Sequence, residues 1–375
     1  MKSSLKLVRI AGIDIGIHYS WLIIFAFLSV TLSVGVFPQL YPEWDTTTYW
    51  MVGVLVTLLL FVSVLLHELA HSFVAKARGI PVHSITLFIL GGVSNIEEEP
   101  EEAKVEFSMA IVGPLSSLVL AGIFWGLLQL VEDPQSPLAG VLTYLALINF
   151  VLAIFNLLPG YPLDGGRVLR SILWGRTGNL IRATNIAATV GQAMGWGLIA
   201  FGLVQLFVGN LGGIWLAFIG WFLSTSAEAS RRELTMREQL KGVRVSEVIG
   251  AGPEGISPDA NIAELVTRVF RGEHRRAVPV CKDNYVLGIV TVTDVKELPR
   301  DQWERTPVRD IMTREPLYSV SPRDDLNAAM SLITRHDVNQ VLVMDDTKCA
   351  GLVNRADILN YLQLSQELGL RQKGS

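Results

Sequence analysis

The chain has 375 residues, of which 50% are hydrophobic and 18% are charged, and its mean hydropathy is +0.40. Soluble globular proteins carry about 25% charged residues, so this composition excludes a single soluble domain and a wholly disordered chain. The formal net charge of −4 argues against a nucleic-acid partner, which requires a basic surface.

The charged residues divide the chain into two parts. Of the 66 Asp, Glu, Lys and Arg residues, 24 lie in residues 1–230 and 42 in residues 231–375. The first part is therefore predicted to be a membrane domain and the second a soluble domain. The two cysteines, Cys281 and Cys349, lie at nearly matching places in the second part, and we interpret them as reduced core residues in a cytosolic setting.

Six stretches of the first part are long and apolar enough to cross a bilayer, which takes about 20 residues. They cover roughly residues 18–38, 49–76, 107–131, 138–158, 184–208 and 211–228. In this arrangement all ten Lys and Arg residues of the first part lie on one side of the membrane. The positive-inside rule then predicts a multi-pass protein with both termini in the cytoplasm, and the lack of targeting signals fits a prokaryotic inner membrane.

A partly β-branched stretch separates the second and third predicted spans. Residues 82–90 are largely apolar, and Gly91-Gly92 follows them. We predict a short hairpin or a re-entrant loop within residues 79–106, which is tolerated at membrane depth when protein or water covers its backbone.

The second span contains the sequence His67-Glu68-Leu69-Ala70-His71. Residues four apart share a helix face, so both imidazoles can bind one metal ion, and Glu68 can hold a water beside it. The alternative is a pair of buried histidines bonded to neighbouring helices. Ionisable groups within a span cost roughly 2.5–3.5 kcal/mol each and usually mark function, which favours the metal site.

A catalytic zinc needs a third protein ligand and one open position. The fourth span ends in a helix break, and both this break and the His pair lie toward the cytoplasmic ends of their helices. Asp164 is therefore the candidate third ligand, although it could also be an ordinary helix-start residue on a cytoplasmic loop. The residues of the break are Asn156, Pro159, Gly160, Pro162, Asp164, Gly165 and Gly166.

Together these motifs resemble the site-2 protease family of intramembrane metalloproteases, over roughly residues 10–228. The resemblance implies a transmembrane protein substrate. A transmembrane helix hides its peptide bonds, and the Gly91-Gly92 loop prompts the hypothesis that the substrate unwinds locally beside residues 79–106. The resemblance also implies that Glu68 activates water and that Asn156 binds the substrate backbone or the oxyanion. One zinc ion per chain would be held by His67, His71 and Asp164.

Other polar or small residues of the membrane part suggest structural roles. Gly113-Pro114 resembles a family feature that permits close helix packing. Asn149 lies on the same helix face as Asn156 and is predicted to make an interhelical hydrogen bond rather than to do chemistry. Arg167 and Arg170 are interpreted as topology anchors.

The second part contains an internal repeat with a shift of 63 residues, in which Gly288–Asp294 matches Gly351–Asp357. Each copy reads as strand, helix, strand, strand and helix. The repeat resembles a pair of CBS domains. The predicted organisation is a protease domain over residues 1–230, a linker over 231–242, and CBS repeats over 243–300 and 306–365.

CBS pairs often bind adenosine nucleotides, and the resemblance implies residues for such a site. Thr291 would lie near the phosphates and Asp294 on the ribose. The second copy keeps Asp357 but has Asn354 in place of the hydroxyl residue, so at most one good site for ATP, ADP or AMP is expected. The alternative is a dimerising module without a ligand.

The leading hypothesis is a polytopic helical membrane protease of about six spans, followed by a soluble α/β CBS pair that binds nucleotide or forms a homo-oligomer. A CBS-regulated ion transporter or channel is the main alternative. It would not require the combination of His67, Glu68, His71, Asn156 and Asp164. An inactive relative is a third reading, and no substitution at an expected catalytic position supports it.

Overall fold

The computed structural model describes residues 4–89, 91–96, 100–249, 255–272, 275–282, 285–345 and 348–368. The chain divides into two compact units, Met1–Leu234 and Thr235–Ser375. The first unit contains the apolar helices and the second the repeat, and each has its own architecture.

The helices of the first unit follow the predicted spans closely. The first span is formed by α1 (Ser20–Val30), a π-helical turn (Thr31–Val36) and α2 (Phe37–Leu40). Four further helices are long and apolar enough to cross a membrane, and a short α6 (Asp164–Thr177) separates the last two. These four are α3 (Thr46–Ala77), α4 (Ala103–Leu128), α5 (Pro137–Asn156) and α7 (Leu180–Phe207).

The sixth predicted span lies in α8 (Gly212–Leu240). This helix does not end at the predicted boundary near residue 228, but continues through a charged stretch that begins at Glu228 and Arg231-Arg232. By length and composition, five helices of the described residues can cross a membrane, and α8 falls short of the hydropathy that these five share. The apolar part of α8 is interrupted by small and hydroxyl residues, which lowers its hydropathy.

A four-stranded sheet packs against α3. Its order is β1 (Ser4–Ile10), β2 (Ile13–His18), β3 (Val82–Phe88) and β4 (Gly91–Ile96). β3 and β4 form the hairpin that was one of the two predictions for residues 79–106. The sequence analysis does not predict β1 and β2. β2 pairs with β3 through residues 70 positions apart, such as Asp14 and Ser84.

The sheet is attached to the membrane helices through an apolar cluster. Ile13, Ile15 and Ile85 are fully or almost fully buried and pack with Leu69 of α3 and Met109 of α4. Burial of such side chains stabilises the contact by roughly 1.5–3 kcal/mol each. The cluster holds the β3–β4 hairpin against the part of α3 that carries the histidines.

The break between α5 and α6 is held by close backbone packing. A Cβ atom at Gly165 would lie 2.2 Å from the carbonyl oxygen of Leu157, and one at Gly166 would lie 2.3 Å from the nitrogen of Tyr161. Gly191 of α7 approaches Tyr161 equally closely, at 2.0 Å from its carbonyl oxygen. Side chains at these positions would displace backbone, so the glycines set where α6 begins.

The second unit is built from two similar hairpins with flanking helices. The first repeat contains α9 (Ile262–Leu265), which continues as a π-helical segment (Val266–Gly272), then β5 (Ala277–Lys282), β6 (Tyr285–Thr291) and α10 (Val292–Lys296). The second contains β7 (Ser319–Val320), α11 (Leu326–Arg335), β8 (Gln340–Asp345), β9 (Lys348–Asn354) and α12 (Arg355–Glu367).

Strand register reproduces the 63-residue repeat. Val280 pairs with Gly288 in the first hairpin, and Val343 pairs with Gly351 in the second, with an irregularity directly after Val280 and Val343. The cysteines do not occupy equivalent positions, since Cys281 corresponds to Met344 on the first strand of a hairpin and Cys349 lies on the second strand. They are free and partly buried, as expected for reduced thiols.

The second unit has two apolar cores, one for each repeat. Each core includes a residue from the start of the other repeat. Val245 is buried with Val341 and Val353 of the second repeat, whereas Val308 is buried with Ile262 and Val290 of the first. Backbone hydrogen bonds from Val245 to Asp324 and from Val308 to Ala260 accompany these contacts. The two repeats are therefore interlocked, and neither has a complete core within its predicted sequence limits.

Candidate active site

Three side chains from two separate parts of the membrane unit converge on one point. His67 and His71 lie on the same face of α3, and Asp164 is the first residue of α6. Asp164 Oδ2 lies 3.1 Å from His67 Nε2 and 3.2 Å from His71 Nε2, and the two Nε2 atoms are 3.2 Å apart. The helix break thus brings Asp164 to the His pair.

The other ring nitrogen of each histidine has its own partner on α4. His71 Nδ1 donates to the carbonyl oxygen of Met109 at 2.6 Å, and His67 Nδ1 lies 2.9 Å from the hydroxyl oxygen of Ser117. A histidine that donates through Nδ1 keeps a lone pair on Nε2, which is the form that binds a metal. Neither Met109 nor Ser117 carries a sequence signal for this role.

Gly113 of α4 lies directly opposite the two rings. A Cβ atom at this position would be 2.1 Å from His71 Nε2 and 2.7 Å from His67 Nε2. The predicted role of Gly113-Pro114 is close helix packing, and α4 does pass close to α3. The contact that excludes a side chain at Gly113 is with the ligand nitrogens, so this glycine keeps the centre of the site open.

The residues fit a zinc ion. In the part of the chain that the structure describes, His67, His71 and Asp164 form the one group of three or more His, Cys, Asp or Glu residues whose ligand atoms lie within 4.8 Å of one another. Two imidazoles and a carboxylate match a catalytic zinc set, which leaves one coordination position for water or substrate.

Glu68 lies next to the metal ligands but binds elsewhere. Its Oε2 accepts a hydrogen bond from the hydroxyl of Ser94 on β4 at 2.8 Å, and it is half-buried between α3 and the hairpin. The backbone of β4 at Gly92 packs against the Glu68 side chain. The position suits a proton acceptor beside the metal rather than a ligand to it.

The two asparagines of α5 behave differently. Asn149 is fully buried and its amide donates to Ser63 of α3 at 3.2 Å, which is the predicted interhelical hydrogen bond. Asn156 is the last residue of α5, and its amide donates at 3.0 Å to the carbonyl oxygen of Leu152, one turn earlier in the same helix. The structure therefore does not bring Asn156 into the hydrogen-bonded group formed by the histidines and Asp164.

Arg170 has a structural role that the sequence reading missed. It was interpreted with Arg167 as a topology anchor, but its side chain is only 4% exposed and its Nε donates to the fully buried Glu106 of α4 at 2.6 Å. Its guanidinium also lies over the ring of Tyr161, 5.1 Å from the centroid. Arg170 thus ties α6 and the helix break to α4.

In the second unit, the predicted nucleotide residues bond to one another. Asp294 Oδ2 accepts from the backbone nitrogen of Thr291 at 2.7 Å and from its hydroxyl at 2.8 Å, so the pair forms a helix cap at the start of α10. Asn354 and Asp357 form the same cap on α12, at 2.9 and 3.0 Å. The predicted difference between the copies is therefore not visible in this local geometry, because the Asn354 amide oxygen takes the place of the hydroxyl.

Family models match both units of the chain. The model for peptidase family M50 matches residues 55–134 and 132–198, a range that includes the His pair, Asn156 and Asp164. The model for the CBS domain matches residues 245–301 and 308–364.

Similar proteins with zinc metalloprotease names match nearly the whole chain. The protein sll0528 from Synechocystis sp. is 35% identical and covers 97% of this chain and 97% of its own length. Rip3 from Mycobacterium tuberculosis is 33% identical and covers 97% of this chain and 94% of its own length. A solved structure of the site-2 protease from Methanocaldococcus jannaschii is 30% identical, with a TM-score of 0.43, and covers 60% of this chain and 94% of that one.

Proposed function

Because the chain belongs to peptidase family M50 and is a multi-pass zinc metalloprotease with a CBS pair, we propose that it hydrolyses peptide bonds of transmembrane protein substrates within the bilayer. The observation that carries the proposal is that His67 and His71, within a helix long and apolar enough to span a membrane, converge on one point with Asp164. Ionisable groups are rarely placed there without a function.

In this proposal the three convergent side chains hold one zinc ion. When bound, zinc supplies Lewis acidity, which lowers the pKa of a coordinated water and polarises a carbonyl group. Ser117 and the Met109 carbonyl orient the rings so that their Nε2 atoms face the ion. Gly113 leaves room for the ion between α3 and α4.

Glu68 acts as the general base. Its carboxylate accepts a proton from the attacking water and then transfers it to the amine of the leaving peptide. Asn156 would donate its amide hydrogen to the substrate backbone or to the oxyanion, and to do so it exchanges its bond to Leu152 for one to the substrate. Asn156→Ala would then lower the rate of cleavage without releasing zinc.

The β3–β4 hairpin is the surface on which an unwound substrate would bind. A transmembrane helix hides its peptide bonds, so the substrate must become extended locally before it is cut. Among the described strands of this sheet, β4 is at an edge, and its residue Ser94 contacts Glu68. An extended peptide can add to such an edge by backbone hydrogen bonds.

The orientation that we propose places both termini in the cytoplasm. The ten Lys and Arg residues of the first 230 residues support this assignment through the positive-inside rule, with the apolar start of α8 as the sixth crossing. Two relatives that match along nearly the whole chain, sll0528 and Rip3, are prokaryotic proteins, which supports a prokaryotic cell membrane.

The CBS pair is proposed to regulate the protease by binding an adenosine nucleotide or by forming a homodimer. The proposed nucleotide contacts are Thr291 and Asp294 at the start of α10 and Asp357 at the start of α12. Because Asn354 and Asp357 form the same cap as Thr291 and Asp294, both copies present a similar backbone to a ligand. The nucleotide would compete with Thr291 for the carboxylate of Asp294.

The test is cleavage of single-span membrane substrates in lipid, with zinc, by the wild type and by Glu68→Gln. We expect cleavage by the wild type alone, while both proteins bind zinc. Cleavage by Glu68→Gln would contradict the role of Glu68 as general base. If the zinc-loaded wild type cleaves none of the substrates, the proposed protease activity is contradicted. Ion flux in the same liposomes would then favour a transporter.

Nucleotide regulation is tested in the same assay by adding ATP or AMP. A change in the wild-type rate that Asp294→Ala abolishes would support a nucleotide site. An unchanged rate in the wild type, with no measurable binding of either nucleotide, would contradict it and leave dimerisation as the role of the CBS pair.

A further inference from the structure

Two serine hydroxyls connect the general base to the neighbouring sheet. Ser94 Oγ on β4 donates to Glu68 Oε2 at 2.8 Å, and Ser72 Oγ donates to Ser94 Oγ at 3.3 Å. Ser72 lies four residues after Glu68, on the same face of α3, and is fully buried. The hydrogen bond to the Glu68 carboxylate thus comes from the hairpin, and α3 supports it only indirectly, through the bond from Ser72 to Ser94.

The backbone of the same strand limits the space around Glu68. A Cβ atom at Gly92 would lie 2.5 Å from Glu68 Cγ and 3.1 Å from Cδ. Residues two apart on a strand face the same side, so Gly92 and Ser94 contact one side of the carboxylate together. These contacts leave the side chain little choice of rotamer.

We propose that Ser94 is a positioning residue for the reaction, which holds Glu68 in the rotamer that accepts the proton of the attacking water. The inference rests on the proposed function, because it requires Glu68 to be the base. With Oε2 bound to Ser94, the second oxygen of Glu68, Oε1, is the one left to accept the proton. A glutamate without this bond would distribute among several rotamers, and only a fraction of the molecules would be competent.

A positioning role predicts a change in kcat rather than in substrate or metal binding. Ser94→Ala should lower kcat about tenfold, the effect of losing roughly one hydrogen bond to a charged group. KM and zinc affinity should stay within about twofold of the wild type, since the Ser94 hydroxyl bonds to Glu68 and Ser72 and not to any of the three zinc ligands. Ser94→Thr keeps the hydroxyl and should restore most of the rate.

The matched control is Ser230→Ala, which removes a serine hydroxyl from α8, where it donates to the carbonyl oxygen of Ser226 in the same helix. It should cleave at the wild-type rate. Gly92→Ala is a second and independent probe, because its new Cβ would push the Glu68 side chain out of place. It should also lower kcat while zinc remains bound.

The experiment measures kcat and KM on one substrate in lipid, together with zinc affinity by chelator competition, for all five proteins. A loss of kcat in Ser94→Ala that Thr restores supports the proposal. It is overturned if Ser94→Ala cleaves like the wild type, if Ser94→Thr is as slow as Ser94→Ala, or if the loss appears in KM or zinc affinity. An inactive wild type would contradict the proposed function and this inference with it, whereas the other outcomes concern Ser94 alone.

Discussion

Aspartates at helix starts do different work in the two units of the molecule. Asp294 and Asp357 accept hydrogen bonds from the backbone of residues three positions earlier, and so cap α10 and α12. Asp164 also begins a helix, but α6 has no side-chain cap, and its Oδ2 instead faces two imidazole nitrogens of α3. The partner of a carboxylate, rather than its place in the helix, therefore decides whether it caps the helix or binds a metal.

The largest expected effect separates these two kinds of aspartate. Asp164→Ala removes one of three ligands, so we expect zinc affinity to fall by more than about 100-fold, since losing even an outer-shell partner costs about 10–100-fold. Cleavage should be abolished. Chelator competition on the purified protein measures the affinity, and Asp294→Ala should keep its zinc. Equal zinc affinity in the two variants would contradict the assignment of Asp164.

The space at the metal centre can be tested in the same way with glycines of α4. Gly113→Ala would place a methyl group 2.1 Å from His71 Nε2, so we expect loss of most of the bound zinc. Gly122→Ala is the control, because a Cβ atom there meets nothing within 4 Å and alanine favours the helix. If Gly113→Ala binds as much zinc per chain as the wild type, the imidazole rings of His67 and His71 can move away from the added methyl group.

The capping aspartates should affect stability and not zinc. Asp294→Ala and Asp357→Ala each remove the carboxylate that accepts the backbone N–H at a helix start, which should lower the free energy of unfolding of the second unit by about 1 kcal/mol. Urea denaturation monitored on the full chain in lipid measures the change, with the exposed Asp301→Ala as control. If the capping variants unfold like the control, the caps contribute nothing measurable.

The smallest effect concerns the two thiols of the second unit. Burial raises the pKa of Cys281 and Cys349 above the usual range, so at pH 8 a smaller fraction is thiolate than in an unfolded chain. Alkylation by iodoacetamide should therefore be slower in the folded protein, and it should accelerate as the pH rises toward the raised pKa. Mass spectrometry of the labelled peptides gives both rates, and equal rates in folded and urea-unfolded protein would refute the expectation.

Local sequence determined the parts of this protein that depend on short spacings. The pairing of His67 with His71 follows from the four-residue repeat of a helix, and the spanning helices follow from runs of apolar residues. The 63-residue repeat was visible because each copy keeps the same alternation of strand and turn residues. Asn149 could be assigned to an interhelical bond because an amide within a span needs a partner.

Only the tertiary structure decided which distant groups meet. Ser94 meets Glu68 across 26 positions and Ser117 meets His67 across 50, and neither serine has a sequence signal, because a hydroxyl serves equally well on a surface. Arg170 was read as an anchor since its burial depends on Glu106, which belongs to another helix. The place of β2 in the sheet was not predicted for the same physical reason: its partner β3 lies 70 positions along the chain, and packing rather than the order of residues brings the two strands together.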